Sequence, residues 1–200
     1  FSSIGSTGQL PPGFHDGLIT VLHKKGDASN PANYRPITLL NTDYRLLAKV
    51  LANRMAVHLP EVIGPEQTAF VKGRSIGEGI HLLQLLPHLL ASEGRWALVV
   101  FCDFCKAYDT VDRGFLLSVL EQLGAGPGWC SWVRLLLTNT RAAALVNGSL
   151  SGQRQFLAGV RQGCPLAPLL YLFVALALLR FLQHKGVGVT VAGQQHTATQ

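Results

Sequence analysis

The spacing of apolar and polar residues along the chain predicts alternating strands and helices. The apolar run Leu18–Leu22 has the length of a short buried strand, and the polar residues 24–33 after it predict a turn region. From Asp43 to Leu59, apolar residues recur at the period of an α-helix, and Pro60 is expected to end it.

The middle of the chain combines a second helix pattern with a strand pattern. Residues 76–91 are apolar at helical spacing, with an interruption predicted at Pro87. The β-branched and aromatic run Trp96–Cys102 has the length of a strand. Asp103 is therefore predicted to stand at a strand end.

The remaining pattern predicts a helix pair, a hairpin and a long helix. These elements are a helix that Asp112 or Thr110 could cap and that runs to about Leu123, a helix at 127–137, strands at 143–146 and 155–157 around a turn at 147–149, and a buried helix at 165–183. The alternation of strands and helices favours an α+β or α/β layered fold.

Composition excludes a disordered chain and points to a polyanionic partner. Of the 200 residues, 48% are hydrophobic and 14% charged, which is enough for a buried core. The net charge is +6. All of it arises after Glu121, because residues 1–121 hold eleven Lys and Arg against eleven Asp and Glu, whereas the later residues hold six Lys and Arg and no Asp or Glu. Such a basic segment suits nucleic acid.

Cysteine content and the longest apolar run bear on location. Four cysteines and no leader-like segment argue against a disulfide-built secreted protein, so an intracellular setting, nuclear or cytoplasmic, is expected. The run Leu166–Leu179 has 14 residues, fewer than the roughly 20 needed to span a bilayer, so no membrane partner is expected. Cys102 and Cys105 would point to opposite faces of a strand, which predicts packing and not zinc or redox chemistry.

Asp103 is the strongest candidate for chemistry on these grounds. A carboxylate at the end of an apolar strand is costly unless it is paired, for example with a metal ion. Two-metal phosphoryl transfer needs further carboxylates at the same point, and Asp109 lies six residues on, roughly 20 Å along an extended chain. Since no Asp or Glu follows Glu121, the missing ligands are expected beyond Gln200.

Three sets of motifs resemble reverse transcriptases of the non-LTR retrotransposon type. The first, FCDFCKAYDTVDR at 101–113, is similar to the first catalytic motif of that family. The resemblance implies that Asp103 is catalytic and binds the metal, and that the backbone carbonyl of Phe104 helps to bind it. It also implies that Tyr108 is the aromatic gate under the sugar of the incoming nucleotide. Non-LTR elements usually have Phe there, and Tyr retains the bulk.

The second motif, GVRQGCPLAPLLY at 159–171, is similar to the segment of the family that opens a helix against the nascent base pair and the template. Gln162 and Gly163 take that role by resemblance. Arg161 offers positive charge near phosphates, which predicts a nucleic-acid contact. Ala167 stands where the family more commonly has Ser.

The third set resembles the fingers region of non-LTR elements. Its blocks are ITVLHKKGD at 19–27, NYRPITLLNTDYRLLAKVLANR at 33–54 and QTAFVKGRSI at 67–76. By this match Lys24 and Arg35 reach the triphosphate of the incoming nucleotide, which suits an ammonium and a forked guanidinium. His23 replaces the usual Pro.

The resemblance implies an α+β right-hand polymerase fold with fingers and a partial palm, truncated before the second catalytic Asp motif and the thumb. The implied domains are fingers at 1–95, the palm with the first catalytic motif at 96–113, a fingers/palm insertion at 114–158, and a truncated palm helix at 159–200. The implied activity is RNA-directed DNA polymerisation with two Mg²⁺ ions, an RNA template, a DNA primer and deoxynucleoside triphosphates. The fragment alone is expected to be inactive.

Two alternatives remain open on the sequence. The first is a non-catalytic nucleic-acid-binding remnant of a degenerate retroelement, bound through the basic C-terminal half. The second is a group II intron or retron polymerase, which the block YRPITLLNTDYRLLAK disfavours. The sequence does not indicate the oligomeric state.

Overall fold

The computed structural model describes residues 2–191 and 193–197. The chain has a mixed α+β content, as predicted. It divides into two compact units, the first comprising residues up to Asn53 together with Lys106–Tyr171, and the second comprising Arg54–Cys105 and the residues from Leu172 onward.

The first unit is built on a five-stranded sheet in which β1 lies between β2 and β3. Its strands are β1 (Asp16–His23), β2 (Tyr34–Leu40), β3 (Arg141–Val146), β4 (Ser149–Leu150) and β5 (Arg154–Gln155). β1 pairs antiparallel with β2 and parallel with β3, and β3 pairs antiparallel with both β4 and β5. The predicted strand at Leu18–Leu22 and the predicted hairpin turn at 147–149 are therefore confirmed, although the return strand begins earlier, at Ser149.

The first unit also contains helices, whose buried side chains are mostly leucine. They are α1 (Ser2–Thr7), the first part of α2 (Thr42–Val62), α4 (Arg113–Gln122) and α5 (Pro127–Leu137). The predicted cap of α4 is confirmed, because an Asp112 carboxylate oxygen accepts a 2.6 Å hydrogen bond from the Phe115 N–H. α5 has the predicted bounds. The most deeply buried side chains of these helices are Tyr44, Leu116, Leu120, Val133 and Leu136.

Arg113, the first residue of α4, joins several segments of the first unit. Its guanidinium donates hydrogen bonds to the backbone carbonyls of Leu137, Phe156, Ala158 and Gly159 and to Thr140 Oγ1. A planar fork with five N–H donors is suited to this arrangement, since the carbonyls approach from different directions.

The second unit holds α3 (Ile76–Ser92), the end of α2, most of α6 (Ala167–His184), and the hairpin β6 (Val189–Val191) and β7 (Gln194–His196). Leu86, Leu90 and Val191 form a small buried cluster with Val189 packed against it. Among the described residues, α6 is the one helix long and apolar enough to cross a bilayer by length and composition, and 33% of it is buried. A core helix meets the same criterion.

Two predicted helix breaks are wrong. α2 continues through Pro60 to Val62, and α3 runs through Pro87 without interruption. Arg74, which follows α2 in the sequence, folds back and donates hydrogen bonds to the carbonyls of Pro60 and Ile63. Arg74 thus partners backbone carbonyls at the end of α2, where the helix itself leaves such groups without a partner.

The predicted strand at Trp96–Cys102 is also wrong. Residues 95–104 have no helix or strand, and Trp96, Leu98 and Phe101 are more than 80% exposed. A strand needs a neighbour to satisfy its backbone N–H and C=O groups, and no strand in the described part of the chain pairs with this segment. The β-propensity of these residues therefore finds no sheet to join.

Candidate functional site

Lys24 and Arg35 lie on the same face at one end of the β1–β2 hairpin. Arg35 is paired with Leu22, and the Lys24 N–H donates to the Asn33 carbonyl at 2.8 Å, so the pairing extends one residue beyond β1. Paired residues share a face and side chains alternate along a strand, which puts Lys24 and Arg35 at diagonal positions roughly 7–8 Å apart. Both are exposed, and neither forms an ion pair within the described residues.

The polar turn at 24–33 is held by its own side chains. Asp27 accepts hydrogen bonds from the backbone N–H and the hydroxyl of Ser29, which lower the pKa of this carboxyl. The Asn33 amide donates to the Asp27 carbonyl, and the Tyr34 hydroxyl donates to the Ala28 carbonyl. These bonds fix the loop that presents Lys24, so the basic end of the hairpin is preformed.

Residues 159–163 run between β2 and the turn before α4. The Val160 N–H donates to the Tyr108 carbonyl at 2.8 Å, and the Thr38 N–H on β2 donates to the Gln162 carbonyl at 3.2 Å. Gly163 has a φ of +108°, and a Cβ at this position would lie 2.5 Å from the Thr38 carbonyl oxygen. The sequence therefore needs glycine here for a close backbone approach.

Tyr108 is half-buried and stacks on Tyr171, with ring centroids 5.1 Å apart and planes 27° apart. Burial raises the pKa of both phenols, so both rings are neutral at physiological pH. Sequence reasoning did not assign a role to Tyr171, although this residue closes the motif at 159–171. The stacking fixes the ring plane of the predicted gate residue.

Asp109, to which sequence reasoning assigned no site role, contacts a predicted site residue. The amide of Gln162 donates to both of its carboxylate oxygens, at 3.3 Å each. Asp109 therefore orients the predicted template-contacting side chain. Its position between Tyr108 and the cap Asp112 was the only signal available in the sequence.

The structure places Arg161 differently from the prediction that this residue contacts nucleic acid. The side chain is only 5% exposed, and its guanidinium donates to the carbonyls of His15 and Arg141. It also lies 5.6 Å from the Tyr44 ring centroid, and burial lowers its pKa. A phosphate group has no access to a guanidinium in this position, so the geometry favours a role inside the fold.

Asp103 and Phe104 belong to the second unit and lie in the irregular segment 95–104. Both are exposed, and no group of three or more His, Cys, Asp or Glu side chains within the described residues could hold a metal ion. These residues do not by themselves fit a two-metal centre. Cys102 and Cys105 are also exposed, so the prediction that they pack in a core is wrong.

The structure thus brings several predicted residues together within the first unit. The Gln162 carbonyl and Gly163 meet Thr38, while Tyr108 contacts the same segment through Val160. Thr38 is three residues along β2 from Arg35, or roughly 10 Å. These residues and Lys24 all belong to the first unit. Asp103 and Phe104 belong to the second.

The comparisons with known proteins agree on one family. The model of the reverse transcriptase (RNA-dependent DNA polymerase) family matches residues 22–193. Among curated proteins, the chain is 33% identical over 92% of its length to the transposon TX1 uncharacterized 149 kDa protein of Xenopus laevis. It is 30% identical over 94% of its length to a Pol polyprotein from the type-1 retrotransposable element R2 of Popillia japonica.

A third relative is the probable RNA-directed DNA polymerase from transposon BS of Drosophila melanogaster, 32% identical over 81% of this chain. The chain spans 14%, 26% and 18% of the lengths of these three relatives. From the match over residues 22–193, the chain belongs to the reverse transcriptase family, and its relatives are proteins of non-LTR retrotransposons.

Proposed function

We propose that this chain is the nucleotide-binding part of a retrotransposon RNA-directed DNA polymerase. In this proposal residues 1–95 form the fingers, 96–113 and 159–200 belong to the palm of a right-hand polymerase, and 114–158 are an insertion between them. The full protein extends a DNA primer on an RNA template with deoxynucleoside triphosphates, in the nucleus or cytoplasm.

The observation that supports this most is the shared face of Lys24 and Arg35. Two exposed cations at diagonal positions, without a carboxylate partner among the described residues, suit a triphosphate. The ammonium supplies a flexible point charge, while the guanidinium can donate two parallel hydrogen bonds to phosphate oxygens. Because the turn beside them is preformed, the protein loses less conformational entropy when it binds a triphosphate.

Tyr108, Gln162 and Gly163 extend this proposal from the triphosphate to the sugar and base. Tyr108 presents a ring fixed by Tyr171, which is suited to packing under a deoxyribose and excluding a 2′-hydroxyl. Gly163 has no side chain at the point where the backbone of β2 approaches it closely, and Gln162 is oriented by Asp109. The nucleotide would therefore lie along β2.

Divalent-metal dependence is general in the reverse transcriptase family. We assign Mg²⁺ to this protein because carboxylate and phosphate oxygens are the ligands this ion prefers. Asp103 and the Phe104 carbonyl would contribute to its binding. The described residues offer Asp103 no further carboxylates, so the proposal requires additional ligands, and we derive no chemical step through the metal.

Deoxynucleotide binding to the chain itself tests the proposal. Lys24→Ala and Arg35→Ala should each weaken dTTP binding about tenfold, the loss expected for one charge-assisted hydrogen bond. Lys49→Ala is the matched control, since it removes the same charge from an exposed position on α2 and should leave dTTP affinity within about twofold. Equal losses in all three variants would indicate nonspecific charge attraction and contradict the proposal.

A non-catalytic nucleic-acid-binding remnant is the second candidate. It is favoured by exposed basic residues in the region that contains no Asp or Glu. They are Arg134, Arg141, Arg154, Arg180 and Lys185. The decisive assay is Mg²⁺-dependent primer extension on an RNA template by the full-length protein, beside Asp103→Asn. Extension that the variant loses supports the polymerase, while RNA binding without extension supports the remnant.

A further inference from the structure

Two of the four cysteines are exposed, and they enclose the predicted metal motif. Cys102 and Cys105 are free thiols at the surface, with only Asp103 and Phe104 between them. Cys130 and Cys164 are also free thiols, but both are buried. A soluble thiol reagent therefore has access to two sulfurs, and these sulfurs are close neighbours in the sequence.

The local backbone decides whether these sulfurs can meet. In an extended strand the Cα atoms of residues three apart are about 10 Å from each other. A disulfide requires roughly 4.4–6.8 Å between Cα atoms, so a strand through Cys102 and Cys105 excludes the bond. Residues 95–104 instead have no helix or strand and join no sheet, and Cys105 begins a turn. Within the described residues, no helix or sheet pairing holds Cys102 and Cys105 in an extended conformation.

We propose that Cys102 and Cys105 form an intrachain disulfide when the chain meets a small-molecule disulfide. The thiolate of one cysteine attacks a sulfur of the oxidant, which yields a mixed disulfide and releases one thiol. The second cysteine thiolate then attacks the protein sulfur of that mixed disulfide and displaces the second thiol. The two protein sulfurs are oxidised, the oxidant is reduced to two thiols, and these carry away the two thiol protons.

The resulting ring would contain Asp103 and Phe104. It would hold them in a tight loop and prevent the extended backbone that the sequence pattern favours at this point. In a reducing compartment such a bond is transient, which is the behaviour of a redox-sensing site. The effect on polymerisation rests on the proposed function, whereas the formation of the bond does not.

The first test is mass spectrometry of the folded chain before and after treatment with oxidised glutathione. Before treatment, a maleimide should label two thiols. After treatment the chain should lose two hydrogen atoms, label at neither thiol, and yield a peptide in which Cys102 and Cys105 are joined. Two glutathione adducts on the same chain would overturn the proposal, because they would show that the two sulfurs cannot meet.

Variants with one cysteine replaced test which two sulfurs form the bond. Cys102→Ser should stop at one glutathione adduct on Cys105, and Cys105→Ser should stop at one adduct on Cys102. Cys130→Ser is the matched control, because it removes a buried thiol and should form the same intrachain bond as the unmodified chain. Loss of the bond in Cys130→Ser would overturn the assignment of the pair.

The consequence for Asp103 is tested in the full-length protein. Oxidised glutathione should reduce primer extension, and dithiothreitol should restore it. The double variant Cys102→Ser with Cys105→Ser, which can form neither the bond nor an adduct at this site, should resist the loss. Unchanged extension by a protein whose disulfide is complete would overturn this consequence. A protein with no extension before oxidation would instead contradict the proposed function, and the mass measurement separates the two failures.

Discussion

The side-chain amide of Gln162 donates hydrogen bonds to both carboxylate oxygens of Asp109, although 53 residues separate them in the sequence. The bond joins the turn before α4 to the segment before α6. Both residues lie in motifs that resemble the catalytic core of reverse transcriptases. Asp109, which is not a proposed metal ligand, thus orients Gln162, which is proposed to contact the nascent base pair.

Replacing Gln162 with Glu should destabilise the first unit. The change puts a second carboxylate against Asp109, and like charges about 4 Å apart repel by about 1 kcal/mol even at the dielectric constant of bulk water. The expected result is a lower denaturation midpoint at pH 7, measured by urea unfolding. The double change Gln162→Glu with Asp109→Asn should recover most of the loss, and failure to recover would show that the pair does not interact.

Gly163→Ala should be among the most destabilising small substitutions in the chain. The new Cβ would lie 2.5 Å from the Thr38 carbonyl oxygen, and the φ of +108° is unfavourable for alanine. We expect a loss of about 2–4 kcal/mol in the free energy of unfolding.

Gly128→Ala is the control for that measurement. This glycine lies in α5, and a Cβ there would meet nothing within 4 Å. Alanine is the better helix former by up to about 1 kcal/mol, so the control should be neutral or stabilising. Equal destabilisation by both substitutions would contradict the close approach at Thr38.

Arg113→Lys should not preserve the function of Arg113 in the fold. A single ammonium cannot reach the four carbonyls and one hydroxyl that the guanidinium bonds, so several part-buried acceptors lose their partner. We expect a loss of about 3 kcal/mol in the free energy of unfolding. Arg154→Lys, an exposed change on β5, should have little effect, and similar midpoints for the two variants would contradict this reasoning.

His15 should make the stability of the chain depend on pH. Burial lowers the pKa of this imidazole, and nearby Arg161 and Arg113 act in the same direction. Its Nε2 lies 2.8 Å from the Leu135 carbonyl oxygen, so the neutral ring with its proton on Nε2 donates there. Below the unfolded-state value of about 6.5, the unfolded chain takes up the proton more readily than the folded chain.

The stability contributed by neutral His15 is therefore complete above about pH 6.5 and is lost as the pH falls. Unfolding free energies measured between neutral and mildly acidic pH should decrease in the unmodified chain. His15→Gln, whose amide can still donate to Leu135, should show a smaller decrease. Identical slopes would indicate that other groups control the acid sensitivity.

The sequence by itself determined the elements whose signals are local. Asp112 caps α4 because its side chain reaches an N–H three residues away, and Pro127 begins α5 because its fixed φ suits the first turn. The motif residues also identified the family, because three separated blocks agree in order and spacing. Neither inference needed knowledge of distant contacts.

Tertiary structure decided the positions that depend on a partner far along the chain. Arg161 was predicted to face phosphate, but carbonyls of His15 and Arg141 hold it inside the first unit. The segment 96–102 has the composition of a strand, yet a strand forms only where a neighbour completes its hydrogen bonds. Composition sets the propensity of a segment, and only the presence or absence of such partners decides its structure and exposure.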